Sequence, residues 1–340
     1  MPRLVSNPPN PWLSTSVEYL EEPPPARLQV YEEEARSIVA QNDSPDISFT
    51  YSVNPYRGCQ HACAYCYARP THQLLGFGAG TDFDTRIVVK KNAPELLRAE
   101  LARARWRGRE TLVFSGVTDC YQPLEACYGL TRACLEVALE FRQPVAIITK
   151  GSLVRRDLDL LARLAARAGA TVFVSIPFLD PALGRRLEPG TAAPATRFAT
   201  LAALSAAGVP CGVSLAPLIP GLNEHEIPAI LAQAAEAGAS LAFMTLLRLP
   251  AEVEPVFVER LEAELPGRAR AVLHAIEEAR GGKRNESAFG KRMTGLGPRF
   301  TAAEDLFRLH ARRLGLSGDR SERLAARAAE SAAPRQGELF

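Results

Sequence analysis

Three cysteines fall within eight residues, Cys59, Cys63 and Cys66, in a CxxxCxxC pattern. Thiolates are soft ligands that suit iron–sulfur clusters or zinc. A structural zinc site takes four ligands, and His61 and His72 are near enough in sequence to be candidates for the fourth. A cubane held by three protein thiolates instead leaves one iron open, and an open position is what a catalytic metal site needs. The chain has seven cysteines. An odd number argues against a disulfide framework, so the clustered ones read as ligands. Cys127, Cys134 and Cys211 read as core residues.

Other polar residues recur where apolar runs end. Thr118 and Asp119 follow the run at 111–117, Lys150 follows 145–149, and Ser175 lies late in 171–177. If these runs are strands of a barrel, such positions face its active end. Two Gly/Pro turns carry charge in similar places, Arg186 to Gly190 and Ile219 to Glu224. Each either orients a ligand or caps a helix.

The elements that must hold these residues alternate. Strand-like runs at 47–53, 111–117, 145–149, 171–177, 211–219 and 240–249 are separated by Ala/Leu/Arg-rich segments of helical period. Strands alternating with helices imply βαβ units and a parallel sheet. A helix is expected to open at Asn92, with Asn92 as its cap and Pro94 in its first turn. No GxGxxG or P-loop opens any helix. Residues 1–45, with eight prolines and an acidic run, read as an irregular arm. Residues 46–250 read as the core, 251–315 as a helical extension and 316–340 as a mobile tail.

Composition is that of a globular domain, with 47% apolar and 23% charged residues and a net charge of +2. Basic residues cluster late, at Arg280, Lys283, Arg284, Lys291, Arg292 and Arg299, which favours an anionic partner. No apolar run is long enough for a membrane span, and residues 1–13 lack a secretory apolar stretch. A cytoplasmic location is the expectation.

The cysteine loop, with Tyr65 just before its third cysteine and a strand just before the loop, resembles the signature of the radical S-adenosylmethionine (SAM) superfamily. The resemblance implies a [4Fe–4S] cluster on Cys59, Cys63 and Cys66. It also implies SAM on the open iron, reductive cleavage to a 5′-deoxyadenosyl radical, and a partial (β/α)6 barrel. Phe114-Ser-Gly-Val-Thr118-Asp119, Thr149-Lys150 and Ser175 resemble the spore photolyase-like branch. That likeness implies SAM contacts at Thr118, Asp119, Lys150 and Ser175, with Tyr65 near the adenine. Spore photolyase carries a cysteine hydrogen donor where Gly116 stands here. Cys120, close by, is either a substitute donor near the mouth or a buried free cysteine.

An electron donor such as flavodoxin or ferredoxin is the implied partner. Nucleic acid is the favoured substrate, because Phe289, Phe300 and Phe307 interleave with the late basic residues. A helical face over a core explains those residues equally well. The alternatives are a non-enzymatic zinc or iron–sulfur module that binds nucleic acid, and an enzyme acting on a small molecule or protein. The last five residues, Gln336-Gly-Glu-Leu339-Phe340, resemble the peptides that dock on bacterial sliding clamps. A Gln that can hydrogen-bond and an adjacent apolar pair suit such an anchor.

Overall fold

The computed structural model describes residues 27–104, 106 and 110–316. The clamp-like peptide at Gln336, Leu339 and Phe340 lies outside the described residues.

All six strand-like runs form strands of one sheet. They are β3 (Tyr51–Val53), β6 (Leu112–Phe114), β7 (Val145–Thr149), β8 (Ala170–Ser175), β9 (Cys211–Leu218) and β10 (Leu241–Leu246). With β2 (Val39–Gln41) on the edge, the order is β10-β9-β8-β7-β6-β3-β2. Neighbours from β3 to β10 pair in parallel, and only β2 runs antiparallel, to β3. The sheet is open, with β10 and β2 as its edges.

Alternation along the strands sorts two faces. Val172, Val174 and Ile176 belong to the main apolar core, while Phe173 and Ser175 between them point the other way. Leu135 and Ala138 of α4 (Leu130–Glu140), Leu160, Leu161 and Leu164 of α5 (Leu158–Arg167), Leu201 and Leu204 of α7 (Pro194–Ala206) and Ile230 and Leu231 of α8 (Ile227–Glu236) complete that core. These helices therefore cover one face. The other face carries Ala146, Ile148 and Phe243, which stay partly exposed, together with Ser175 and Ser214. It is the inner face of a partial barrel.

A second core lies under α6 (Pro181–Leu187), α9 (Val253–Glu264) and α10 (Pro266–Ala279), and it takes in Cys63, Ala64 and Tyr65 of the cysteine loop. Residues 251–315 are not uniformly helical: between α10 and α11 (Gly297–Arg313) lies the irregular segment 280–296. Its Gly281, Gly282 and Gly290 all have positive φ, which ends helices rather than extending them. Phe300 and Phe307 of α11 are buried in the main core, leaving Phe289 as the exposed aromatic.

The region before residue 46 also departs from expectation. It contains β1 (Gln29–Glu33) as well as β2. A small sheet of order β1-β5-β4 joins β1 to β5 (Arg86–Lys90) and β4 (Tyr56–Arg57). These strands are short and lean on partners distant in sequence, so no local period announces them. The helix expected at Asn92 forms, as α2 (Ala93–Leu101), but the Asn92 side chain does not cap it. It pairs with the backbone of Ala35 instead, accepting from the amide at 2.9 Å and donating to the carbonyl at 3.0 Å. No helix among the described residues is long and apolar enough to cross a membrane.

Candidate active site

The cysteine loop leaves β3 at the C-terminal ends of the parallel strands and is fixed at several points. Gly58 has φ +78°, and a Cβ there would lie 2.9 Å from the Phe83 carbonyl. Cys59 donates its amide to that same carbonyl at 2.9 Å. Ala62 also takes a positive φ, 53°, which turns the loop between the first two cysteines. Arg69 is fully buried and donates from Nε and Nη2 to the Cys63 carbonyl at 3.1 and 2.8 Å, while Nη2 also pairs with Asp84 at 2.9 Å. Gln60 and Gln122 interlock: the Gln60 amide donates to Gln122 at 3.0 Å, and Gln60 accepts from the Leu124 amide at 2.7 Å. Gly190 donates to the His61 carbonyl at 3.1 Å, and a Cβ on Gly190 would run into the Gln60 carbonyl.

Cys59 and Cys63 are buried and Cys66 is partly exposed. Burial pushes all three thiols up; the neighbouring cysteines add to this at Cys59, and Cys66 adds to it at Cys63. Lys150 opposes this at Cys63 and Cys66. Three soft donors around one space, facing a cation, fit an electron-rich cluster. His61 is engaged with Asp119, Nδ1 to Oδ2 at 3.1 Å, and His72 lies between Phe77 and Phe83. Among the described residues, no three His, Cys, Asp or Glu side chains close on the position of a single metal ion. A cubane is less demanding in this respect, since its cysteines bind different irons.

The strand-end residues gather around the loop in two roles. Asp119 accepts from Thr149 Oγ1 at 2.6 Å, the Tyr121 amide at 2.9 Å, the Lys150 amide at 2.7 Å and His61. Burial pushes this carboxyl up, but His61 and the other donors outweigh it and hold it down at about 2. Four donors saturate a carboxylate, so Asp119 has no acceptor site left for a bound molecule. Thr118 donates to the Gly58 carbonyl at 2.6 Å and accepts from Gln122 at 3.1 Å. Both residues hold the loop.

Lys150, in contrast, faces the open space. Its Nζ lies 4.0 Å from Glu188 and 5.7 Å from the centre of the Tyr65 ring. The Tyr65 hydroxyl donates to Glu188. Glu188 is buried and paired with buried Arg197 at 2.5 Å, and Arg197 reaches on to the Ser175 carbonyl at 2.8 Å. The turn at Arg186 to Gly190 thus orients the site through Glu188. In the turn at 219–224, Asn223 caps its own loop by accepting from the Ile219 amide at 2.7 Å. Ser214, beside Ser175 in the β8–β9 register, has a buried hydroxyl without a hydrogen-bond partner on the inner face. Arg197, Gln60 and Gln122 escaped the sequence reading, because their roles depend on contacts between distant segments.

Cys120 does not reach the mouth. It is 0% exposed and lies in the main core with Phe114 and Leu135. The hydrogen-donor expectation is corrected in favour of a buried free cysteine. Ser115, with φ 81°, turns the chain inward there and accepts from the Cys120 amide at 3.0 Å. Next to Gly116 stands a different side chain: the exposed Tyr67, whose hydroxyl donates to the Gly116 carbonyl at 2.7 Å. Cys134 and Cys211 are core residues, but Cys127 is exposed.

Known proteins resemble this chain in sequence and fold. The model of the radical SAM superfamily matches residues 53–234, more than half of the 340-residue chain. An uncharacterised protein of Mycobacterium bovis is 45% identical over 196 residues, 57% of this chain and 57% of that protein. A protein of Pseudomonas phage M6, named a radical SAM Nalpha-GlyT isomerase, is 24% identical over 278 residues, 80% of this chain and 54% of its own length. The chain thus spans less than two thirds of these curated relatives. Among solved structures, a variant of spore photoproduct lyase with bound AdoMet and dinucleoside spore photoproduct superposes with a TM-score of 0.60. It shares 19% identity, and the match covers 86% of this chain and 81% of that one. That likeness supports the fold: a mostly parallel open sheet with helices on one face. On the family match, this chain belongs to the radical SAM superfamily of enzymes.

Proposed function

We propose that this enzyme holds a [4Fe–4S] cluster on Cys59, Cys63 and Cys66 and acts on nucleic acid. When bound, the cluster supplies the electron that cleaves SAM reductively to a 5′-deoxyadenosyl radical. The observation that carries the reading is the convergence of three thiols, Tyr65, Lys150 and Glu188 on one space at the C-terminal ends of the strands. There Lys150 offers a cation to the carboxylate of SAM, Tyr65 an aromatic face to its adenine, and Ser175 a polar position on the inner face. Thr118 and Asp119 act as positioning residues, holding the cysteine loop and the Lys150 backbone. A reducing cytoplasm suits the free cysteines.

Two further observations favour a nucleic-acid substrate. Relatives of similar sequence or fold are named for an Nalpha-GlyT isomerase and for a lyase holding a dinucleoside. In addition, the segment 281–296 carries four basic residues and one acidic one. It links both edges of the open sheet: Asn285 accepts from the Leu249 amide beyond β10 at 3.2 Å, and Arg292 pairs with Asp46 ahead of β3 at 2.6 Å. Phe289 stands exposed on this strap with the Arg292 guanidinium 4.5 Å from its ring centre, an arrangement suited to base stacking beside phosphate. Docking of the Gln336, Leu339 and Phe340 peptide on a sliding clamp would bring such an enzyme to DNA. A 331–340 peptide tested on immobilised clamp, with Leu339→Ala plus Phe340→Ala as control, examines that partner.

The substrate class is tested by releasing 5′-deoxyadenosine anaerobically with dithionite, with and without single- or double-stranded oligonucleotides. Release faster by several-fold with one of them is expected. Release indifferent to every oligonucleotide would overturn the nucleic-acid reading.

A further inference from the structure

Just beyond β10, three consecutive residues are tied to the strap. The Leu247 carbonyl accepts from Arg280 Nη2 at 2.5 Å, Arg248 Nη1 lies 3.9 Å from Met293 Sδ, and the Leu249 amide donates to Asn285 at 3.2 Å. Arg280 Nη1 donates to the Thr294 carbonyl at 2.8 Å. Arg248 and Arg280 thus bridge the same two segments, 247–249 and 293–294. Arg280 is only 5% exposed; its terminal nitrogens meet neutral carbonyls, and its Nε is buried without a hydrogen-bond partner. Burial, and after it the Arg248 charge, push the Arg280 guanidinium down to about 10. Partly exposed Glu286 opposes them, but its carboxylate also accepts from the Ala288 amide at 2.8 Å and answers to Lys283 and Lys291. Two cations held close and away from water are costly until an anion joins them. Arg248 itself is partly exposed, and its charge acts on Tyr67, the residue after Cys66. It therefore lies where the strap approaches the cysteine loop, at the mouth of the inner face.

We propose that Arg248, backed by Arg280, is a phosphate-binding site that takes one phosphodiester of the nucleic-acid substrate at the mouth. The proposal deepens the nucleic-acid reading above and rests on it. A guanidinium presents a planar fork of donors that matches a phosphate. The strap holds the backbone on both sides of Arg248, through Leu247 and Leu249, so little order remains to be imposed on binding. The carboxylate of SAM is assigned to Lys150 after β7, three strands along the order β10-β9-β8-β7, which leaves the cation beyond β10 for the substrate. A phosphate contact fixes the position of a strand without reading its bases. Base contact falls to exposed Phe289 on the same strap.

The test measures binding of fluorescein-labelled single-stranded oligonucleotides to the anaerobically reconstituted full chain by fluorescence anisotropy, with SAM present and over a series of salt concentrations. Wild type, Arg248→Gln and Arg248→Lys are compared. Arg248→Gln should weaken binding by about tenfold, the scale of one lost charged hydrogen bond, and by the same factor for oligonucleotides of different sequence. The slope of log K against log salt should become shallower by about 0.7, the share of one phosphate contact on a single strand. Arg248→Lys keeps the charge without the fork, so it should retain the wild-type slope and recover part of the affinity. On the same sequence with an uncharged methylphosphonate backbone, wild type and Arg248→Gln should bind alike. A wild-type slope in Arg248→Gln, or an equal loss on the uncharged backbone, overturns the site. So does an Arg248→Gln protein that binds oligonucleotide normally and loses affinity for SAM, which would assign the arginine to SAM. A wild type that binds no oligonucleotide fails the nucleic-acid reading itself, and the phosphate site with it.

Discussion

At the scale of single residues, the site separates groups that touch the open space from groups that hold others in place. Asp119 belongs to the second kind, since its four acceptor positions are filled from within the protein. Asp119→Asn would aim an NH2 group at donors and leave buried groups unsatisfied. It should lower the stability of the apoprotein by about 2–4 kcal/mol. The acidic side of the pH profile gives a second readout. The carboxyl sits at about 2 in the folded chain against an ordinary 3.8. Its contribution is thus fully present above pH 3.8 and lost as the pH falls towards 2. Thermal melts of wild type and Asp119→Asn should keep a constant separation from neutral pH to about pH 5 and converge at lower pH; a separation independent of pH throughout would contradict this role. Arg197 offers a comparable case. Removing it as Arg197→Met strands buried Glu188, which should cost about 3–5 kcal/mol in chemical denaturation. Adding Glu188→Gln should restore part of that loss.

These residue roles were unequally legible beforehand. Cys59, Cys63 and Cys66 announce themselves because their ligand spacing is local. Thr118, Asp119 and Lys150 could be picked out as polar residues at strand ends, but not which of them would be saturated. That depends on Thr149, Tyr121 and His61 arriving from separate segments. Cys120 misled because its neighbour Asp119 faces the site, while the turn at Ser115 sends the thiol into the core.

At the scale of elements, the cysteine loop is held from outside its own sequence. Arg69 and Asp84 brace one side, and the turn after α6 braces the other, where Gly190 lies flat against Gln60. Gly190→Ala should therefore displace the loop while leaving the sheet and helices in place. The expected result is an unchanged far-UV circular dichroism spectrum with most of the iron lost after reconstitution. Full iron retention would show that the loop adjusts without this clamp. The six parallel strands were legible because each is a β-rich apolar run bounded by helical period. β1, β2, β4 and β5 were not, since strands of two to five residues gain stability from partners and carry no period of their own. The strap at 280–296 hid inside a basic stretch that looked helical on either side.

At the scale of the whole molecule, an open parallel sheet leaves one concave face uncovered by helices, and the cysteine loop caps that face at the strand ends. The strap ties the two free edges together through Leu249 and Asp46. That inner face is the proposed approach for SAM and substrate, and the proposal depends on the assignment of the cluster to three cysteines with one iron left open. The direct measurement is electron paramagnetic resonance of the dithionite-reduced, reconstituted protein, before and after addition of SAM. The account predicts a reduced cubane signal whose shape changes when SAM binds. That signal should be absent in Cys59→Ala, Cys63→Ala and Cys66→Ala, and present in variants of Cys134 or Cys211. A signal that survives loss of any of the three cysteines, or that does not respond to SAM, would contradict it.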